Sequence, residues 1–517
     1  MFKRIKEYHV ELLAFISFVV YAAVLNLQFL EGSNINYTFS GHDEYIAVRE
    51  VYSILNPASF KHFALAVSAG DVMFYGRAMF YTDALVAWLP YKIWGLEGMV
   101  YAIRMAHVLY LVLGVIVLGR TFLSKAFSRL LFYPVVLTWY YTAYFVMIPK
   151  PEPLQLLVLA IFLFYAQRAN WQYGKHFTWL GIAYGLKFNV LMILPVFFAA
   201  PFFTGNFKIR EAVLSGICLF TGILIAIPSL ILSPLRPIFL KTYIKSTFGN
   251  TTHYDDTIVS FPDWLIKGLF QWYGGHSISG AFIFLTFIVL VIWFAYRLLF
   301  KKEIGAAVVV LAMAFCFLMP VMLLTKRLWS HYLWTGSVFM VLGMIIFSEK
   351  EWQFKGMKSM SRIILAPLLL IVFFSLTIIS PLFSLELNAA KEVEKGNRVH
   401  AYIRSKNQKA KILQEISIYY PFSDFVVAGR YHPFKEPSPY QLPESEIRWN
   451  DMIRLKDIQN VKPDFLVMAK REQSLVLNTF RKVELAKNDS LLNLKVGEVL
   501  FRDTLYKEFI IYRVVNQ

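Results

Sequence analysis

Two carboxylates stand side by side in Gly41-His42-Asp43-Glu44-Tyr45, just after the first long apolar run. A third, Glu152, sits among prolines in Pro149-Lys150-Pro151-Glu152-Pro153. Acids at the edge of hydrocarbon are costly to keep, and one within hydrogen-bond reach of a hydroxyl can take its proton. Lys187, Lys326 and Arg327 close other apolar runs, and such cations suit a departing phosphate. A divalent metal held by carboxylates and histidine would serve the same end. A second polar segment, Thr251-Thr252-His253-Tyr254-Asp255-Asp256, holds a histidine, which in a loop is more often a hydrogen-bonded residue than a ligand. Each residue has an ordinary alternative: loop acids are usually solvated, and lysines at span ends reach for headgroups. Their common placement decides between the two.

The elements that would place them are membrane spans. Of 517 residues, 57% are hydrophobic and only 17% charged, which excludes an ordinary soluble protein. A net charge of +18 would suggest nucleic acid in a soluble chain. Here most basic residues before the C-terminal region sit in short connections between apolar runs, so they report topology and no nucleic-acid partner is expected. The two cysteines, Cys218 and Cys316, lie inside apolar runs and read as packing residues. About eleven segments are long enough to span, near 8–30, 99–119, 130–148, 153–168, 176–187, 188–203, 211–232, 277–299, 304–324, 329–347 and 362–382. The first is too long for a signal peptide and lacks a small-residue cleavage site, so it is expected to be retained.

With Lys3, Arg4 and Lys6 cytoplasmic, the connections rich in Lys and Arg fall inside, among them Arg120/Lys125/Arg129 and Lys208/Arg210. That holds only if 176–187 and 188–203 are separate segments, which puts Lys187 at the outer end of a hairpin. Tyr75 to Gly95 is apolar but carries Arg77, Asp83 and Lys92, and reads as an amphipathic helix at the outer interface. The first outer loop, 31–98, is therefore long, and a second outer loop covers 233–276. From about Leu385 the composition changes. Phe425–Ala428, Phe465–Met468 and Phe509–Tyr512 read as strands, so 385–517 is expected to be a soluble α/β domain on the outer side. The chain has no P-loop or dinucleotide fingerprint, which argues against an ATP-driven transporter.

The order of these motifs resembles the GT-C fold glycosyltransferases of the protein-mannosyltransferase and aminoarabinose-transferase (PMT/ArnT-like) superfamily. The resemblance rests on the Asp43-Glu44 pair after the first span, Ile93-Trp94-Gly95 ending a juxtamembrane helix, and Ile103-Arg104 in the next span. Pro151-Glu152, Gly181-x-x-x-Gly185-x-Lys187 and Arg327-x-x-x-His331-Tyr332 complete it. It covers roughly 1–385, and 385–517 matches only as a soluble outer domain. It implies a polytopic helical membrane enzyme that moves a sugar, with inversion, from a polyprenyl-phosphate donor to a lipid, glycan or protein hydroxyl. The reaction would take place on the outer side of the plasma or inner membrane. By the same resemblance Asp43 is the base, Glu44 its support or an acceptor contact, and Glu152 the second acid. Lys187 and Arg327 hold the lipid phosphate, and His253 is a metal or phosphate contact. The second acid is Glu where Asp is frequent in relatives, and no acid-x-acid pair stands beside it. Metal dependence and a peptide-Asn acceptor are both put in doubt.

Two other readings remain. A secondary transporter or lipid flippase would show repeated halves or polar breaks within its spans, whereas these acids sit at the outer boundary. An anchored scaffold would not need about eleven spans.

Overall fold

The computed structural model describes residues 8–27, 30–31, 36–37, 42–57, 59–68, 76–137, 142, 145–146, 148–203, 207–228, 260–263, 277–296, 305–324, 330–350, 401–403, 405–407, 412–414, 447–449, 464–469, 494–502 and 509–516. Inside a bilayer the backbone must satisfy its own hydrogen bonds, and the apolar runs accordingly form helices. These are α1 (His9–Leu27), α4 (Arg77–Phe122), α5 (Ala126–Leu137), α6 (Pro151–Arg168), α7 (Phe177–Leu186), α8 (Leu194–Phe203), α9 (Ile209–Ala226), α10 (Ser277–Tyr296), α11 (Ala306–Leu324) and α12 (Trp334–Lys350). Two shorter helices, α2 (His42–Leu55) and α3 (Phe60–Ser68), lie between α1 and α4, in the segment expected to form the first outer loop. Gly98–Phe122, Ile209–Ala226 and Ala306–Leu323 are long and apolar enough to cross a membrane. The eleventh expected segment, 362–382, lies outside the described residues.

The structure separates the fifth and sixth segments at Lys187. That residue is extended (φ −154°, ψ 131°) between α7 and a 3-10 turn, Phe188–Ile193, that leads into α8. The direction of the return is set by glycines. A Cβ on Gly181 would lie 2.0 Å from the Leu219 carbonyl oxygen, one on Gly222 2.1 Å from that of Thr178, and one on Gly185 2.3 Å from Ala226 Cβ. The contacts advance together along both chains, so α7 and α9 run parallel with their backbones nearly touching, as small residues allow between membrane helices. Parallel neighbours need a return pass between them. Phe198 of α8 supplies the proof, since its ring lies 5.4 Å from that of Phe177 at the far end of α7.

Helix α4 doubles back on itself. Gly95 takes φ 67°, ψ −148°, and Asp83 Oδ2 meets His107 Nε2 at 3.0 Å. In a straight helix, residues that far apart in sequence would be about 36 Å apart. The arm before Gly95 is the expected amphipathic helix, but its polarity is turned inward. Arg77 and Asp83 are fully buried, while Leu85, Trp88, Leu89, Ile93 and Trp94 are exposed. The charges engage neighbouring protein elements, and the apolar face is the one an interfacial helix offers to lipid.

At the inner ends, Arg129 is more than a marker of topology. Its Nε lies 2.7 Å from Glu11 Oε1 in α1, and its NH1 donates to the carbonyls of Leu123 and Ser124. In the C-terminal region five strands, β1 (Ile412–Gln414), β2 (Ile447–Trp449), β3 (Phe465–Ala469), β4 (Leu494–Arg502) and β5 (Phe509–Asn516), form one sheet in the order β2-β1-β3-β5-β4. β1 is parallel to β2 and β3, and the remaining pairs are antiparallel. β3 and β5 begin at the two phenylalanines that open the second and third expected strands. The first, Phe425–Ala428, lies outside the described residues.

Candidate functional site

Prolines explain why α6 begins where it does. Lys150 is extended at the N-cap and Pro151 opens the first turn, a position where a missing N–H costs nothing. Glu152 therefore stands at the positive end of a helix dipole, and Lys187 at the negative end of α7. The two meet. Lys187 Nζ donates to Glu152 Oε1 at 2.5 Å, with side-chain exposures of 13% and 2%. Charges this secluded need a partner, because a lone one would bear a desolvation penalty of several kcal/mol. Glu152 Oε2 is buried with no hydrogen-bond partner among the described residues.

Tyr332, the last residue of the Arg327-x-x-x-His331-Tyr332 motif, presents its ring 4.7 Å from Lys187 Nζ. It is carried by the 3-10 turn Ser330–Leu333 at the start of α12. Three motifs distant in sequence thus converge on one ammonium group. Gln155, one turn beyond Glu152, was missed in reading the sequence. Its Nε2 donates to Ala183 O at 3.1 Å, Lys187 O at 3.0 Å and Asn189 Oδ1 at 2.9 Å. A glutamine inside an apolar span, on the same helix face as an acid, was the available signal.

Asp43 and Glu44 lie in the first turn of α2. Further along that helix, buried Glu50 accepts a 2.5 Å bond from Arg77 NH1, and Arg77 also donates to the Ala66 carbonyl. Beside Arg77, Gly76 is wedged so tightly that a Cβ would come within 1.9 Å of the Gly185 carbonyl oxygen and 2.9 Å of that of Ala226. The helix bearing Asp43 is therefore tied, through Glu50, Arg77 and Gly76, to the turn bearing Lys187. Tyr52 of α2 meets Tyr91 of the outer arm edge to face at 5.9 Å. Burial, and then the neighbouring Tyr52, pushes the Tyr91 hydroxyl up to about 12. Arg104 is fully buried in the span arm of α4, three residues before His107.

Arg327 and His253 lie outside the described residues, as do the side chains of Asp43 and Glu44. Among the described residues no three His, Cys, Asp or Glu side chains are grouped to hold a metal ion.

These features define a polytopic helical membrane fold whose helix ends hold a buried acid–cation pair. The same fold is seen in ArnT from Cupriavidus metallidurans. Its crystal structure bound to undecaprenyl phosphate matches 96% of this chain and 97% of that one, with TM-score 0.55 at 11% identity. The apo crystal structure gives TM-score 0.53 over the same shares of both chains, again at 11% identity. The chain therefore has the ArnT-like GT-C fold expected from its motif order. No protein-family model matches the sequence, and no curated protein does.

Proposed function

We propose that this chain is an integral membrane glycosyltransferase. It takes a sugar from a polyprenyl-phosphate donor and places it, with inversion, on a hydroxyl of a lipid, glycan or protein at the outer face of the plasma or inner membrane. The observation that carries this reading is the buried Glu152–Lys187 pair, capped by Tyr332, at the outer helix ends of a fold shared with a protein crystallised on undecaprenyl phosphate.

The chemistry assigned to the residues is a single displacement. Asp43 accepts the proton of the acceptor hydroxyl as its oxygen attacks the anomeric carbon. The carbon–oxygen bond to phosphate breaks on the opposite face, and the electron pair leaves with the polyprenyl phosphate. Lys187 has N–H groups beyond the one given to Glu152, and with Arg327 it meets the charge that develops there. Glu44 supports Asp43 or holds the acceptor. Glu152 keeps Lys187 aimed. Fixing two lipid-embedded substrates in line supplies much of the remaining acceleration. In this reading the spans number about eleven, 385–517 forms an outer α/β domain, and membrane lipids surround the rest. A divalent ion at His253 would assist the phosphate.

The test is transfer. Purified protein with a radiolabelled polyprenyl-phosphate sugar and candidate acceptors should release polyprenyl phosphate, and Asp43→Asn should not. Equal release by both proteins would overturn the role of Asp43. No release with any sugar tried would favour a flippase or transporter.

A further inference from the structure

Gln155 stands apart from the residues assigned above. It is fully buried in α6, three positions after Glu152, and its side-chain amide faces the break between α7 and the 3-10 turn. All three of its partners present oxygen: the carbonyls of Ala183 and Lys187, and Asn189 Oδ1. Two of those acceptors are backbone carbonyls, which cannot exchange roles, so the amide nitrogen must point at them. The opposite orientation would set its oxygen against theirs. The Ala183 carbonyl, in the last turn of α7, also takes the Lys187 N–H at 3.3 Å, and the neighbouring helix adds a second donor to it.

We propose that Gln155 is a positioning residue for Lys187. One amide grips the chain before, at and after the break, and one helix face thereby fixes both members of the pair: Glu152 holds the ammonium, and Gln155 holds the backbone from which it extends. With Gln155 in place, the extended conformation at Lys187 is supported from α6. Without it, the Lys187 backbone keeps its N–H bond to the Ala183 carbonyl at 3.3 Å and a long Val190 N–H contact at 3.5 Å, but its tie to α6 passes through its flexible side chain. This inference rests on the phosphate-binding role given to Lys187 above for its functional consequence, and on geometry alone for the positioning itself.

The experiment uses the full chain and two readouts. Acylation of Lys187 by an amine-reactive ester, followed by mass spectrometry, reports how firmly the side chain is held. Binding of undecaprenyl phosphate reports the consequence. In Gln155→Leu, which keeps the volume and removes the donor, Lys187 should be labelled about tenfold faster and undecaprenyl phosphate bound about tenfold more weakly, the scale set by losing one or two site-forming hydrogen bonds. In transfer assays the same variant should lower kcat/KM for the donor by a similar factor, with kcat falling too, because Lys187 meets charge that develops as the phosphate leaves. A folded Gln155→Leu protein with wild-type labelling and wild-type affinity would overturn the proposal. Faster labelling in a chain whose wild type binds no undecaprenyl phosphate would uphold the positioning and refute the donor reading. Should Gln155→Leu fail to fold, Gln155→Asn, whose amide is one methylene too short to reach both carbonyls, carries the same comparison.

Discussion

Two of the buried carboxylate–cation clusters stand at opposite ends of the helices, and they are built differently. At one end Glu11 is met by Arg129 at 2.7 Å, by Arg120 at 3.8 Å and by the Tyr133 hydroxyl at 3.3 Å. Arg129 is tied down further by the carbonyls of Leu123 and Ser124, and Arg120 lies over the ring of Tyr8. That cluster closes the connection from α4 to α5, although Glu11 Oε2, like Glu152 Oε2, is buried with no hydrogen-bond partner among the described residues. At the other end Glu152 meets, among the described residues, a single ammonium, which otherwise faces an aromatic ring. The Arg129 guanidinium already spends donors on backbone carbonyls, whereas the Lys187 ammonium has N–H groups beyond the one given to Glu152. In the proposed reading and orientation, the Arg129 cluster is an inner clasp and the Glu152–Lys187 pair is an outer site held ready.

The largest effects should separate the two ends by kind. Asp43→Asn is expected to lower transfer by about 10²- to 10⁴-fold, the range for removing a general base, with little change in thermal stability. Arg129→Met should do the reverse. Stranding Glu11 without its nearest cation costs about 3–5 kcal/mol of stability, with turnover per folded molecule unchanged. Denaturation curves beside initial rates check both, and a rate loss in Arg129→Met at full folding would erase the distinction between clasp and site.

Gly181→Val tests the frame behind the outer pair. Any Cβ there meets the Leu219 carbonyl, so α7 and α9 must part and carry Lys187 with them. Donor affinity should fall by about tenfold or more. Tyr332→Ala should have a smaller effect, about 0.5–2 kcal/mol on donor binding from the lost cation–π contact, and Tyr332→Phe should have almost none. In intact cells or sealed vesicles, a cysteine at position 187 should react with impermeant reagent from outside and one at 208 from inside. Labelling of both from one side would break the hairpin.

The broad plan could be read from the sequence because apolar length and basic connections are local signals. They correctly required a break near Lys187, since only separate fifth and sixth segments kept Arg120 and Lys208 on one side. The contacts that build the site are not local. Gly181 and Gly185 were visible as a motif, but their work depends on Gly222 and Ala226, which no spacing rule connects to them. Glu152 and Lys187 were each singled out, yet their pairing appears only once α6 and α7 are folded together. Arg129 looked like one more inner charge because its partner, Glu11, lies at the start of a different helix. Arg77 and Asp83 suggested a water-facing stripe, and the structure turns them inward to Glu50 and His107.

The contrast between the ends reduces to one measurement: undecaprenyl phosphate binding to Lys187→Met and Arg129→Met proteins, each at a temperature where it is fully folded. The account predicts that Lys187→Met weakens binding by at least about tenfold while Arg129→Met binds as the wild type does. Equal affinity in both would contradict the claim that the outer pair, and not the inner clasp, is the functional site.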